Sequence, residues 1–155
     1  MSGIFKRSAI GLAVLLLVAG CTSNQTNQNA ASTAMAPRSF TAWLTGGQEV
    51  PPTTSLGNGN ASVTLDPNGM LHWTVSYQGL SGPATAAHFH GPATPGFNAG
   101  VVVNIGGTTP ANPMQGSAQL TPAQIADLVA GRWYVNVHTA ANPGGEIRGQ
   151  VVPAL

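Results

Sequence analysis

The chain has 155 residues, which is enough for one domain, and its composition excludes several classes of protein. Charged residues make up only 6%, whereas there are 20 glycines and 12 prolines, a balance typical of short strands joined by tight turns and not of a helical bundle. The formal net charge is +1 and no lysine follows Lys6, so the chain lacks the clustered basic side chains on which nucleic-acid binding depends.

The first 21 residues predict export and lipidation. Lys6 and Arg7 precede an apolar run over residues 9–19, which is too short to span a bilayer. The run leads through small residues directly to Cys21, an arrangement that resembles the bacterial lipobox. The resemblance implies a signal peptide over residues 1–20 and a lipid on Cys21, which would make the membrane a partner. An ordinary secretory signal cleaved beyond Cys21 is the alternative.

The only cysteine and its neighbour also indicate where the protein resides. A lone cysteine forms no disulfide within the chain, and a free thiol is a liability in an oxidising compartment unless it carries a modification. Thr22 stands where lipoproteins of the inner membrane often have aspartate. The resemblance therefore implies a lipid-anchored protein of the bacterial cell envelope, at the outer membrane and facing the periplasm or the cell surface. Residues 21–38 are then the lipidated cysteine and a flexible polar tether.

Residues 39–155 show the pattern of one β domain. Short apolar runs are separated by Gly, Pro, Asn or Asp, and the turn at residues 66–69 predicts a hairpin between two of them. The sequence predicts an all-β antiparallel sandwich with Trp43, Trp73 and Trp133 as core anchors. Pro51 and Pro52 predict a stiff exit from an edge strand after Glu49, with a ligand or partner contact as the alternative. The predicted strands cover residues 40–44, 61–65, 71–77, 85–90, 101–105, 116–120, 133–138 and 146–151.

One segment has the signals of a short helix. Thr121 is a suitable N-cap, Pro122 suits the first helical position, Gln124 completes a capping box, and Gly131 supplies the stop. A helix is therefore predicted between the sixth and seventh strands, with its apolar face covering an end of the sandwich.

Three histidines are the candidate metal ligands. In a strand, residues two apart point the same way, so His88 and His90 project from one face, and His138 ends a later strand. Three neutral imidazoles are a common ligand set for Cu(II) or Zn(II) outside the cytosol. The alternative is that these histidines only fasten loops by hydrogen bonds. His72 lies on the polar side of its strand and is interpreted as a surface residue.

The segments that carry these residues resemble a known family. Their order, FTAWLTGGQEVPP, then GLSGPATAAHFHGPA, GVVVNI and LTPAQIADLVAGRWYVNVHTAANPGGEIRGQV, is similar to a chordin-type (CHRD) domain over residues 39–151. The HFHG and H-x6-GEIRG elements also resemble the copper strands of copper/zinc superoxide dismutases. These resemblances imply an antiparallel Greek-key sandwich of the immunoglobulin and superoxide-dismutase type, with His88, His90 and His138 as copper ligands. The chain departs from the dismutases in having no bridging histidine, zinc loop or disulfide pair.

Two further residues are candidates for supporting the ligands. Glu146 is expected to orient His138 through Nδ1, and Arg148 to bond a loop carbonyl, with an ion pair between the two as the alternative. The resulting hypothesis is a non-catalytic, membrane-anchored binding protein that holds copper, ahead of zinc, in metal homeostasis or storage. A copper-only dismutase-like enzyme and a metal-free structural or adhesive envelope module are the alternatives.

Overall fold

The computed structural model describes residues 36–107 and 110–155. The predicted signal peptide, Cys21 and nearly all of the predicted tether lie outside these residues, and Arg38, the last residue of that tether, begins the first strand. In the described part no helix has the length and hydrophobicity needed to cross a membrane. The strands are β1 (Arg38–Thr45), β2 (Asn58–Leu65), β3 (Met70–Gln78), β4 (Ala84–His90), β5 (Val101–Asn104), β6 (Met114–Gln119), β7 (Tyr134–Thr139), β8 (Ile147–Gln150) and β9 (Val152–Pro153), and the helix is α1 (Pro122–Val129).

The strands form one antiparallel sheet. Its order is β5-β4-β7-β8-β1-β2-β3-β6, and β9 adds to β1. The sheet curls into a nearly closed barrel. As a result, the rings of Trp73 on β3 and Phe89 on β4, which lie near opposite ends of the strand order, meet across the core with centroids 5.8 Å apart. The prediction of an antiparallel all-β fold with one short helix is confirmed. The two separate sheets expected of a sandwich are instead joined in this one sheet, in which β1 is an interior strand and not an edge.

The core follows from alternation along each strand. Phe40, Ala42 and Leu44 of β1 are buried while the residues between them face outward. Trp73 and Trp133 are buried as predicted, at 8% and 0% exposure. The prediction for Trp43 was wrong, since its side chain is 61% exposed. Trp43 occupies an outward position of β1, between inward Ala42 and Leu44, so the strand period places it on the solvent side.

The predicted helix is present and begins where expected. The Thr121 hydroxyl accepts a hydrogen bond from the Gln124 amide, and the Gln124 side chain accepts one from the Thr121 amide, which completes the capping box. Leu128 is fully buried against the core, and Gly131 ends the helix with a φ of +68°. The helix therefore packs its apolar face on the core just before β7, one of the strands that carries the candidate ligands.

Candidate metal centre

A buried polar layer covers the outer face of three adjacent strands. β4, β7 and β8 direct Phe89, Val135 and Ile147 into the core, so the residues between these point outward. Segments before β2 and before β5 lie over this face, and they bury side chains that would otherwise meet solvent. The buried polar residues there are Glu49, His90, Asn136, His138, Thr139, Glu146 and Arg148.

The three predicted histidines come together in this layer. One ring nitrogen of each lies within 4.8 Å of the other two, and His88 Nδ1 is 3.0 Å from His138 Nε2. His90 and His138 are each 8% exposed, whereas His88 is half-buried. His72 is exposed on β3 and takes no part in the cluster, as predicted.

Backbone carbonyls fix the orientation of two rings. His90 Nδ1 lies 3.0 Å from the Ala99 carbonyl oxygen, and His138 Nδ1 lies 3.0 Å from that of Pro143. A carbonyl only accepts, so Nδ1 of each ring donates a proton. The Nε2 of a neutral His138 ring then keeps its lone pair, and this atom faces His88. His90 Nε2 lies 3.0 Å from Asn136 Oδ1, which is also an acceptor, so both nitrogens of His90 face acceptor oxygens. His138 Nε2 is therefore available to a metal, and His90 Nε2 becomes available when it leaves the Asn136 oxygen.

The surroundings favour the neutral form of all three rings. Burial lowers the pKa of His88, and the neighbouring His138 and His90 lower it further. Burial also lowers the pKa of His90 and of His138. This effect is larger than the opposite effect of the hydrogen bonds to the Ala99 carbonyl, which raises the pKa of His90, and to the Pro143 carbonyl, which raises the pKa of His138. Neutral imidazole is the form that ligates metal ions.

Arg148 and Tyr134 support the cluster from one side. The Arg148 guanidinium lies 3.4 Å from the centre of the Tyr134 ring, and that ring stacks on His90 with centroids 4.8 Å apart and planes 1° from parallel. Arg148 also donates to the Phe97 carbonyl at 2.8 Å and to Asn98 Oδ1 at 2.9 Å. This is the loop-carbonyl contact considered from the sequence. Arg148 thereby fastens the segment that carries Ala99, the partner of His90.

Glu146 is placed differently from the expectation. Pro143, and not Glu146, holds Nδ1 of His138, and Glu146 forms no ion pair with Arg148. Glu146 immediately precedes β8, and its carboxylate lies among the loops at that end of the barrel. There it accepts hydrogen bonds from five donors. They are the Ser55 hydroxyl at 2.7 Å, the Ser81 amide and hydroxyl at 2.7 and 2.5 Å, the Thr139 hydroxyl at 2.5 Å and the Asn142 amide at 3.1 Å.

The Glu146 contacts change the acidity of the carboxyl group. Burial raises its pKa, but the hydrogen bonds from Ser81, Thr139 and Ser55 outweigh burial and lower the pKa to about 2. Glu146 is therefore an ionised connector that ties three loops together. One of those loops contains Pro143, so Glu146 acts on His138 only through the backbone.

Glu49 is a buried carboxyl group that the sequence did not single out for chemistry. Burial raises its pKa to about 7, although Arg148, Asn136 and the Val50 backbone each lower it. Its Oε1 has no hydrogen-bond partner among the described residues. Gly145 packs so closely here that a Cβ on it would meet both the Glu49 carboxylate and the Asn136 amide.

Tyr134 and Asn136 were also missed as parts of the site. In the strand, Asn136 lies two residues and Tyr134 four residues before His138, both at outward positions. The strand period that groups His88 with His90 would therefore also have found them.

Comparison with known families identifies the domain. A family model described as "CHRD domain" matches residues 40–151, a range that contains all three histidines. Comparison with curated proteins and with solved structures gave no match. Since the family model covers most of the chain, this protein belongs to the CHRD domain family.

Proposed function

We propose that this CHRD-domain protein binds copper through His88, His90 and His138 at the outer side of the bacterial envelope and serves in metal homeostasis. The observation that carries the proposal is the convergence of three imidazoles from two strands in one buried polar layer. The family match supports an extracellular binding module. The lipid on Cys21, the outer-membrane location and the Greek-key relationship to superoxide dismutases belong to the same proposal and depend on sequence resemblance.

One distance between ring nitrogens supports a shared ion. A metal–imidazole bond is about 2.0–2.1 Å, so two neighbouring ligand atoms on one ion at tetrahedral or square-planar angles lie about 2.8–3.4 Å apart. The 3.0 Å between His88 Nδ1 and His138 Nε2 falls in this range, whereas the three ligand atoms as a set lie within 4.8 Å of one another, so the set would have to contract around an ion. To hold an ion, His88 would have to move the proton that its Nδ1 donates to His138 Nε2 onto its own Nε2, and His90 Nε2 would have to give up its contact with Asn136. Nitrogen-only donors and the order of divalent-metal affinities favour Cu(II) over Zn(II).

The decisive test is metal binding by the purified full-length protein. Cu(II) titration with electron paramagnetic resonance should show about one copper per chain with nitrogen hyperfine structure. The double variant His88→Ala/His90→Ala should lose this signal, whereas His72→Ala, which removes an exposed histidine outside the cluster, should keep it. Absence of copper from the wild type, or equal binding by all three proteins, would favour the alternative in which the histidines only fasten loops.

A copper-only dismutase-like enzyme is the second candidate, and one observation favours it. His88 is half-buried while the other two rings are buried, so a small substrate could approach the site from the side of His88. Arg148 argues against an enzyme that guides anions to the ion, because its guanidinium is committed to Phe97 and Asn98. A superoxide assay on the copper-loaded protein, with His138→Ala as control, separates an enzyme from a binding protein.

The proposed anchor has its own test. Metabolic labelling with palmitate should mark the wild type and should not mark Cys21→Ser, which should also leave the membrane fraction. Equal labelling of both proteins would contradict lipidation at Cys21.

A further inference from the structure

A second surface, away from His88, His90 and His138, has an unusual chemical character. It is the outer face of β1, β2 and β3, which adjoin in the sheet. The pairing register aligns Trp43, Asn60 and Ser76 in one row across the strands, and Thr45, Asn58 and Gln78 in the next. None of these outward side chains is charged. We call this surface the Trp43 groove, after the depression lined by Trp43, Asn58, Asn60, Ser76 and Gln78.

Trp43 is the apolar element of this surface. Its side chain is 61% exposed, whereas Trp73 and Trp133 are 8% and 0% exposed. The next side chains in the same row are the amide of Asn60 and the hydroxyl of Ser76, so the indole has no apolar neighbour on β2 or β3 along that row. The Gln48 side chain donates to the Trp43 carbonyl at 2.7 Å and so fixes the end of the strand beside the ring. The groove therefore offers an exposed aromatic face next to polar groups.

The polar groups of the groove keep hydrogen-bonding capacity. Gln78 Nε2 donates to Asn58 Oδ1 at 3.2 Å, which orients this pair, and the Asn58 amide nitrogen and the Gln78 oxygen have no partner among residues 36–107 and 110–155. Within the described part of the chain, the side chains of Asn60 and Ser76 make no hydrogen bond to other residues. The row beside the indole thus presents both donors and acceptors to an incoming molecule.

We propose that the Trp43 groove binds a neutral oligosaccharide. Sugar hydroxyl groups both donate and accept hydrogen bonds, which matches amide and hydroxyl side chains, and the C–H face of a sugar ring packs on an exposed indole. Acidic polymers need cations, and this surface has none. A protein partner would need a larger apolar centre than one tryptophan. The groove lies on β1–β3 and the three clustered histidines lie on β4 and β7, so this proposal is independent of copper.

The test uses the full-length protein with cellohexaose and chitohexaose as probes. Tryptophan fluorescence reports on the groove directly, since Trp43 is the exposed indole among the three tryptophans. We expect a saturable change in emission with a Kd of about 1 mM or tighter for at least one of the two neutral hexasaccharides. Isothermal titration calorimetry then compares the variants.

The variants separate the groove from other exposed aromatic side chains. Trp43→Ala should weaken binding by about tenfold or more, and Asn60→Ala provides a second variant that leaves the indole in place. Phe97→Ala is the matched control, because Phe97 is 68% exposed on a different segment and its removal should not change the affinity. The proposal is overturned if neither hexasaccharide binds, if Trp43→Ala and Asn60→Ala bind as the wild type does, or if only acidic polymers such as alginate bind.

Discussion

The role of Glu146 as an ionised connector predicts a specific dependence of stability on pH. Its pKa falls from the ordinary 4.5 to about 2 on folding, because hydrogen bonds from Ser81, Thr139 and Ser55 favour the carboxylate. This difference corresponds to about 3 kcal/mol of folding free energy. Since the folded pKa is the lower one, the contribution is complete above about pH 4.5 and is lost as the pH falls toward about 2. Glu146→Gln removes the titrating group while retaining its size.

The measurement is the free energy of unfolding by urea for both proteins, taken between about pH 2 and about pH 6. The difference between wild type and Glu146→Gln should shrink by about 3 kcal/mol from the upper to the lower end of this range. Glu49 has the opposite tendency, because its raised pKa of about 7 stabilises the protonated folded state and this effect is lost as the pH rises. Glu49 is present in both proteins, so its contribution cancels. A difference that stays constant across the range would refute the account of Glu146.

Three further predictions follow from other contacts. Phe89→Ala should cost about 3–5 kcal/mol in denaturant unfolding, because the ring packs against two tryptophans with centroids 5.8 and 6.0 Å away. Thr121→Ala should cost about 1 kcal/mol and lower the thermal midpoint, since it removes the capping box of α1. Arg148→Met keeps the bulk but not the bonds to the segment before β5, so hydrogen exchange at the Ala99 amide should accelerate by about tenfold or more.

Local rules explain which features could be predicted from the sequence. The period of a strand is enough to place His88 and His90 on one face, and it needs no knowledge of neighbouring strands. The cap and stop of α1 depend on residues 121–131 alone, and the hairpin turn at residues 66–69 is equally local. His138 required one more step, namely that its strand pairs with the strand of the other two histidines. The sheet provides this through the pairing of β4 with β7.

Features that depend on distant contacts could not be predicted. Glu146 binds Ser55 and Ser81, which lie 91 and 65 residues away in the chain, and no local pattern indicates that these loops meet. Its expected partner His138 is eight residues away in sequence but is satisfied by a nearer carbonyl. The core prediction for Trp43 rests on residue type, since large aromatic residues are usually buried, whereas the alternation along β1 opposes it. Here the periodic pattern was the better guide than residue type.

The hydrogen bonding of the buried layer indicates how its parts differ in freedom to move. Buried ionic groups are costly unless their hydrogen bonds are complete, and both Glu146 and Arg148 have several partners. His90 and His138 are each held by a carbonyl, whereas half-buried His88 has, within the described part of the chain, a single hydrogen-bond contact, to His138. An incoming ion would therefore meet two fixed ligands and one adjustable ligand. Metal binding would then require the adjustment of the His88 ring, with loss of its hydrogen bond to His138, and the release of the His90 contact with Asn136, while the backbone partners of His90 and His138 stay in place.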